Sequence, residues 1–397
     1  MKIVAVDPFY LRMSEITTAA DGTQDTLLVR IRTDAGLEGW GECDASPLVS
    51  IAVYCCPMSH GNIINIHESL LGETLDKPED VLRLSNKVLR NGLDIQHIQH
   101  AYSGAEIALW DLIGKKLEEP VYQILAEMTE TQSKPYPKLP YASVLFGDTP
   151  ESIYQIAVGL CEQGYQAAKF GWGPMGKHGE ENDIALVRAA REGLGSDAQV
   201  MIDAGVVWGA DYDTAYNRAN AFAEFSPTWL EEPLSPDAIN AYKALTDKKP
   251  RVPIAAGEGS STYRMAEDII VNGGVNFIQI DTGRIGGIMP SFQVRKLAER
   301  HGIQYVNHTF KSHLSLAAAL HVFATNLDFN LLEYPAANSE LSQSLVKQPF
   351  QIDPDGLVRV KERPGLGVDV DTEAIRPFLV PVKIGVGSDT VFVQSSL

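Results

Sequence analysis

Paired cysteines are missing from this chain: its four, Cys43, Cys55, Cys56 and Cys161, show no C-x-x-C spacing, and two of them are adjacent. No zinc site or disulfide framework is expected, and the expected compartment is a reducing one. Basic residues are in deficit too, 33 Lys and Arg against 51 Asp and Glu, for a net charge of -18. Without a basic stripe interleaved with aromatics, the electrostatic footprint of a nucleic-acid partner is absent. No apolar run approaches the ~20 residues that cross a bilayer. Asp7 and Pro8 interrupt the opening MKIVAVDPFYL too early for a signal peptide. No membrane partner is expected, and the cytoplasm is the expected location. Low-complexity runs and like-charge blocks are also lacking, so the 45% hydrophobic, 21% charged composition is that of a globular protein.

What is present is a chain of 397 residues, more than one core usually serves, so two units are expected, one of them a barrel of roughly 250 residues. From about residue 139, β-branched or aromatic runs alternate with amphipathic stretches, the pattern of βα units and a parallel sheet. The strands predicted are LPYASVLF near 139, AAKFGW near 167, QVMIDAG near 199, TWLEEP near 228, VPIAAGE near 252, FIQIDT near 277, QYVNHT near 304 and FNLLEYP near 329. Thr149-Pro150 and Ser235-Pro236 each place a capping side chain before a proline, predicting helix starts there. An α/β architecture follows, a modified (β/α)8 barrel over 126–350, with an open doubly wound sheet as the alternative. The first 125 residues read as an α+β capping domain, with a hairpin around Asp34-Ala35-Gly36 and a helix over AEIALWDLIGKKL. Residues 351–397 are expected to fold back on it.

The last polar residue of successive strands is Lys169, Asp203, Glu231, Glu258, Asp281, His308 and Glu333, spaced by 34, 28, 27, 23, 27 and 25 residues. In a barrel the C-terminal strand ends form one ring, so these seven converge; in an open sheet they do not. Asp203, Glu231 and Glu258 are three carboxylates without an adjacent cation, and together they would repel unless a metal neutralised them. Hard oxygen ligands favour Mg2+. The bland alternative, solvated loop residues, fits one of them better than all three. Asp281 and His308 end neighbouring strands, which permits a carboxylate–imidazole hydrogen bond and a general base. Lys169 would face the metal and steady an anion; Glu333 would hydrogen-bond the substrate carboxylate or form a salt bridge. Cys55 and Cys56 have no base partner and read as small packing residues. Gly283-Arg284-Ile285-Gly286-Gly287 lacks a full phosphate-binding fingerprint and reads as a turn.

These residues bring a family into view. TDAGLEGWGE (33–42), ALWDLIGKKLEEPV (108–121), GYQAAK (164–169), MIDAG (201–205), WLEEP (229–233), AAGE (255–258), QIDTGRIGG (279–287) and NHT (307–309) resemble the mandelate racemase branch of the enolase superfamily. The resemblance covers nearly the whole chain. It implies a capping domain over a modified barrel, one Mg2+ on Asp203, Glu231 and Glu258, a His308–Asp281 dyad, a small-molecule substrate and a homo-oligomer. Two departures stand out. The family's Lys-x-Lys is Lys169-Phe170-Gly171 here, and its Asp-x-Asn is Asp203-Ala204-Gly205. Losing the second lysine turns the expectation from a two-base racemase to a dehydratase of a sugar acid, an aldonate or aldarate. In that reaction His308 removes the proton α to the carboxylate, the β-hydroxyl leaves, and a 2-keto-3-deoxy acid forms. A racemase or epimerase using Lys169 as second base is the runner-up, and a noncatalytic metal-binding relative is the third reading. Substrate identity is expected to depend on loops 13–24 and 45–61. Trp172 is a candidate substrate contact, and Lys177, His178, Lys311 and His313 are candidate receivers of a distal carboxylate, which would favour an aldarate.

Overall fold

Three antiparallel strands open the chain: β1 (Ile3–Arg12), β2 (Asp25–Thr33) and β3 (Glu38–Cys43), in the order β1-β2-β3. They are seen in a computed structural model that describes residues 1–18, 21–44, 46–336 and 339–397, so Ala19, Ala20 and Ala45 of loops 13–24 and 45–61 lie outside the described residues. The expected hairpin joins β2 to β3, with Gly36 at φ 77° and its N–H closing onto the Thr33 carbonyl. The expected helix is part of a longer one, Ile98–Leu117, in which every residue from 101 to 114 is buried. It packs so tightly on β3 that a Cβ at Gly39 or Gly41 would fall 2.2 or 2.1 Å from the carbonyl oxygens of Ala108 and Gly104. The glycines of TDAGLEGWGE are thus what lets strand and helix touch.

All eight strands read from the alternation are present: β4 (Leu139–Leu145), β5 (Ala167–Gly171), β6 (Gln199–Asp203), β7 (Trp229–Glu231), β8 (Ile254–Ala256), β9 (Phe277–Ile280), β10 (Gln304–Asn307) and β11 (Leu331–Tyr334). They are parallel and ordered β10-β9-β8-β7-β6-β5-β4-β11, so the last strand pairs with the first, which an open doubly wound sheet would not allow. The seam between β10 and β11 is bridged by a side chain. Asn307 donates from Nδ2 to the Glu333 carbonyl at 3.0 Å and accepts the Glu333 N–H on Oδ1 at 3.0 Å. A carboxamide thus stands in for the missing backbone ladder and fixes the strand that carries Glu333.

The barrel interior is packed, not hollow. Tyr141, Ala167, Met201, Trp229, Ala255, Val306 and Leu331 form a separate apolar cluster inside it, with Trp229 in ring contact with Tyr141 and Phe277. The strands alternate inward and outward, so the next inward residues lie one layer higher, and these are the polar ones.

Thr149 opens a helix as expected, its hydroxyl accepting the Ser152 N–H ahead of Pro150–Glu162. Ser235-Pro236 does not. There the Ser235 N–H is taken by the Gly209 carbonyl of the preceding loop, Ala238 N–H folds back onto the Ser235 carbonyl, and the helix starts only at Ile239. A contact across loops outweighs the local capping signal. The Gly-rich stretch after β9 is a turn leading into helix Ile288–His301, and the orphan N–H groups of that helix are already satisfied. Glu106 of the capping unit accepts from Ile288 N at 2.6 Å and Met289 N at 3.0 Å, and Gly287 leaves room for its carboxylate. The last residues run along the first unit: Val380 N–H donates to the Tyr10 carbonyl, and Arg30 Nη2 to the Ser396 carbonyl at 3.0 Å. Among the described residues no helix is long and apolar enough to cross a membrane.

His313, named above as a candidate carboxylate receiver, lies elsewhere. It is buried against the rings of Tyr334 and Phe350. Burial pushes it, and His321, down from 6.5 to about 4. Both are therefore neutral when folded and take up protons only on unfolding, so stability is lost as pH falls from 6.5 towards 4 and levels off below. Each contributes on the order of 2–3 kcal/mol to that loss. Urea titrations at pH 7 and pH 5 should show it, and His321→Gln should shrink the difference; an unchanged difference would contradict the assignment.

Candidate active site

The C-terminal strand ends of the barrel open into a cavity of about 540 Å³, within the range of small-molecule sites. Lys169, Gly171, Asp203, Glu258, Arg284 and His308 line its floor, and Ser143, Val144, Leu145, Ile156, Trp172, Phe310 and Asp21 its walls and mouth. All seven strand-end groups come together here. One oxygen each of Asp203, Glu231 and Glu258 lies within 4.8 Å of the others. Lys169 Nζ bridges Glu231 Oε1 at 2.5 Å and Glu333 Oε1 at 3.0 Å. His308 Nδ1 meets Asp281 Oδ2 at 2.9 Å, and its Nε2 lies 3.2 Å from Glu258 Oε2. Asp281 is itself held, its Oδ1 accepting the Gly283 N–H at 2.7 Å. Glu333 is anchored likewise, Oε2 accepting the Thr309 N–H at 2.5 Å.

The electrostatics are those of a carboxylate cluster awaiting a cation. Burial, then repulsion from Glu231, pushes Asp203 well above the usual carboxylate range. Burial likewise raises Glu231 to about 7 and its neighbour Glu232 to about 8, the latter helped by Glu258 and Glu231. Glu258 escapes: burial would raise it, but His308, Lys169 and Arg284 outweigh burial and hold it below 4.5. Burial disfavours the His308 imidazolium, yet Glu258, Glu333 and Asp281 reverse this and raise it to about 10. All three ligand candidates offer oxygen alone, the donor set of a hard divalent cation, and such an ion would relieve the repulsion that burial creates. The residues fit one.

A second acidic group, Asp44 with Asp281 and His308, is also close-set. It is a charge network rather than a vacant cage, because Asp44 is neutralised by Arg284 Nη2 and by Lys311 Nζ at 3.0 Å. These two cations, after burial has opposed them, hold Asp44 well below the usual range. Arg284 also donates from Nη1 to the Glu258 carbonyl at 2.7 Å, tying a metal-site strand end to the capping unit.

The two departures from the family pattern have structural counterparts. At Gly171 a Cβ would fall 2.8 Å from Asp203 Oδ2, so a side chain there would press on the carboxylate cluster. At Gly205, φ 60°, a Cβ would lie 2.9 Å from the Trp172 indole. Glycine therefore lets Trp172 lie over the end of β6, and Trp172 is on the cavity lining.

The four expected carboxylate receivers need correction. Lys177 and His178 sit exposed on the turn after β5, Lys311 is buried in its ion pair with Asp44, and His313 is packed among rings. None of them lines the cavity. Conversely, Asp21, Phe310, Arg284 and Asp44 escaped the strand-end pattern. Arg284 carried a signal, lying three residues beyond Asp281, whereas Asp21 and Asp44 come from the capping unit, where no periodicity points at the barrel.

Residues 2–126 match the mandelate racemase / muconate lactonizing enzyme N-terminal domain, and residues 155–374 the enolase C-terminal domain-like family. A Rhodobacter sphaeroides structure described as a predicted mandelate racemase is 43% identical over 99% of both chains, with a TM-score of 0.94. The D-galactarolactone cycloisomerase of Agrobacterium fabrum is 26% identical over 89% of this chain and 91% of that protein. The L-talarate/galactarate dehydratase of Salmonella typhimurium is 28% identical over 88% of this chain and 81% of that protein. The chain belongs to the mandelate racemase/muconate lactonizing enzyme branch of the enolase superfamily.

Proposed function

We propose that this protein is a Mg2+-dependent hydro-lyase of a sugar acid, removing the proton α to the carboxylate and eliminating the β-hydroxyl to give a 2-keto-3-deoxy acid. The observation that carries this is the one-sidedness of the site. Among the described residues lining the cavity His308 is the one imidazole, Gly171 leaves the second-lysine position bare, and the Lys169 ammonium is committed to Glu231 and Glu333. One base suits elimination better than racemisation, which must return a proton to the opposite face.

Asp203, Glu231 and Glu258 would hold the Mg2+, which when bound supplies Lewis-acid stabilisation of negative charge growing on the substrate carboxylate. With Nδ1 paired to Asp281, Nε2 of His308 is the atom that would take the α-proton, once the Glu258 charge that now favours the imidazolium is committed to a cation. The same nitrogen then returns a proton to the departing β-hydroxyl, which leaves as water, when both groups lie on one face. Lys169 adds a fixed positive charge beside the carboxylate, and Glu333 keeps its ammonium in place. The buried floor excludes water from the proton being moved.

The similarity to an L-talarate/galactarate dehydratase supports the elimination, and the similarity to a D-galactarolactone cycloisomerase supports a substrate of the sugar-acid class. The name of the 43% identical structure favours racemisation. Incubation with Mg2+ and a library of aldonates, aldarates and their lactones, read by semicarbazide for keto acids and by NMR for epimers, separates these readings. Keto acid is expected from a few configurationally related members; epimers without keto acid would overturn the proposal.

A further inference from the structure

We infer that the cavity is built for a monocarboxylate with an uncharged, oxygen-poor far end and discriminates against the matching diacid; this rests on the sugar-acid reading and narrows its substrate class. A carboxylate at one end of the substrate is served by the floor, where Lys169 and the metal-site carboxylates lie. Among the described residues lining the cavity, no further cation is free to serve the other end. The cations that line the cavity are Lys169 and Arg284 besides His308. Lys169 is held by Glu231 and Glu333, and Arg284 by Asp44 and the Glu258 carbonyl.

Away from the strand-end groups the lining is mostly apolar, Val144, Leu145, Ile156, Trp172 and Phe310, with Ser143 its one hydroxyl among the described residues. Among the described residues lining the cavity, Asp21 is the one charge that the capping unit contributes, and it is negative. Asp21 is not loosely placed. Its Oδ1 accepts the Thr23 N–H at 2.8 Å, and Thr23 is buried and bonded to the barrel through Ser339 Oγ, 2.6 Å from the Thr23 carbonyl. Between them Gly22 lies so close to Phe310 that a Cβ would fall 2.8 Å from the ring. The capping loop is therefore pinned to the barrel with Asp21 on the cavity lining, away from the strand-end carboxylates that would hold the metal in the proposed reading. A distal carboxylate would meet a like charge and an apolar wall with no cation to pair it, which is how sites reject a wrong partner. A methyl or hydroxymethyl end meets neither penalty.

The test uses matched triads of aldonate, 6-deoxyaldonate and aldarate in the galacto, gluco and manno configurations, with Mg2+ and the full-length protein. In whichever configuration reacts, the 6-deoxyaldonate should equal or exceed the aldonate in kcat/KM, and the aldarate should fall on the order of 100-fold below it. Asp21→Lys should narrow the aldarate deficit by about tenfold or more, and Asp21→Asn should shift it in the same direction if the lysine variant misfolds. An aldarate used as well as its aldonate, or a deficit unmoved by either variant, overturns the inference while leaving the dehydratase reading intact. Calorimetric binding of the same triads covers the other case. Preferential binding of the monoacids without turnover upholds the inference and counts against the dehydratase reading; no binding by any member overturns both.

Discussion

His308→Asn is expected to lower kcat by at least about 10³-fold while Mg2+ binding survives. Nε2 of His308 is the one neutralisable base pointing at the carboxylate cluster, and asparagine keeps a polar group of similar width without a transferable proton. The metal ligands should stay in place, because Glu258, on losing its 3.2 Å pair with Nε2, keeps the charges of Lys169 and Arg284 beside it. Asp281→Asn should do less, about 10–100-fold, since it removes the partner that orients Nδ1 but leaves the base. Steady-state kinetics on the best member of the sugar-acid library, with Mg2+ affinity measured alongside, checks both. Full activity in His308→Asn would remove His308 from the base role and with it the one-base argument.

Asp203→Asn is expected to act in opposite directions on stability and on activity. Asp203 is buried among Glu231, Glu258 and Glu232, and its pKa is raised first by burial and then by Glu231. In a chelating buffer Lys169 offsets that repulsion only in part, so a neutral side chain of the same shape should stabilise the fold, by about 1–3 kcal/mol. Asparagine can still accept the Gly205 N–H that now reaches Asp203 Oδ1 at 2.8 Å, so no backbone donor is orphaned. Activity should disappear, and so should the rise in melting temperature that Mg2+ gives the parent protein. Thermal unfolding with chelator and with Mg2+ reads both effects. A variant that is less stable in chelator and still stabilised by Mg2+ would show that Asp203 is structural. The repulsion that this substitution relieves belongs to a site selected for function rather than for stability.

Much of this site could be read from the chain because a barrel converts a repeating sequence interval into a spatial ring. Lys169, Asp203, Glu231, Glu258, Asp281, His308 and Glu333 each end a short apolar run, and closure of the sheet alone brings them together. What could not be read depends on contacts between units. Asp44 follows β3 with nothing to mark it, yet it meets Arg284 and Lys311 from loops more than two hundred residues away. Those contacts bury Lys311 and remove it from the substrate side, against the expectation from its position near a strand end. Asp21 is invisible for the same reason, since its placement follows from Thr23 docking on Ser339. Asn307 stands in the sequence only as part of NHT; its role in closing the β10–β11 seam depends on which strands happen to meet there. The failure at Ser235-Pro236 is of the same kind, a correct local signal overruled by a neighbouring loop.

The most direct test of the central claim, metal-dependent proton removal by one base followed by elimination, is proton NMR of the turnover reaction in deuterated water with Mg2+. Keto acid should accumulate while unreacted substrate keeps its configuration at C2. Accumulation of the C2 epimer ahead of any keto acid would contradict it.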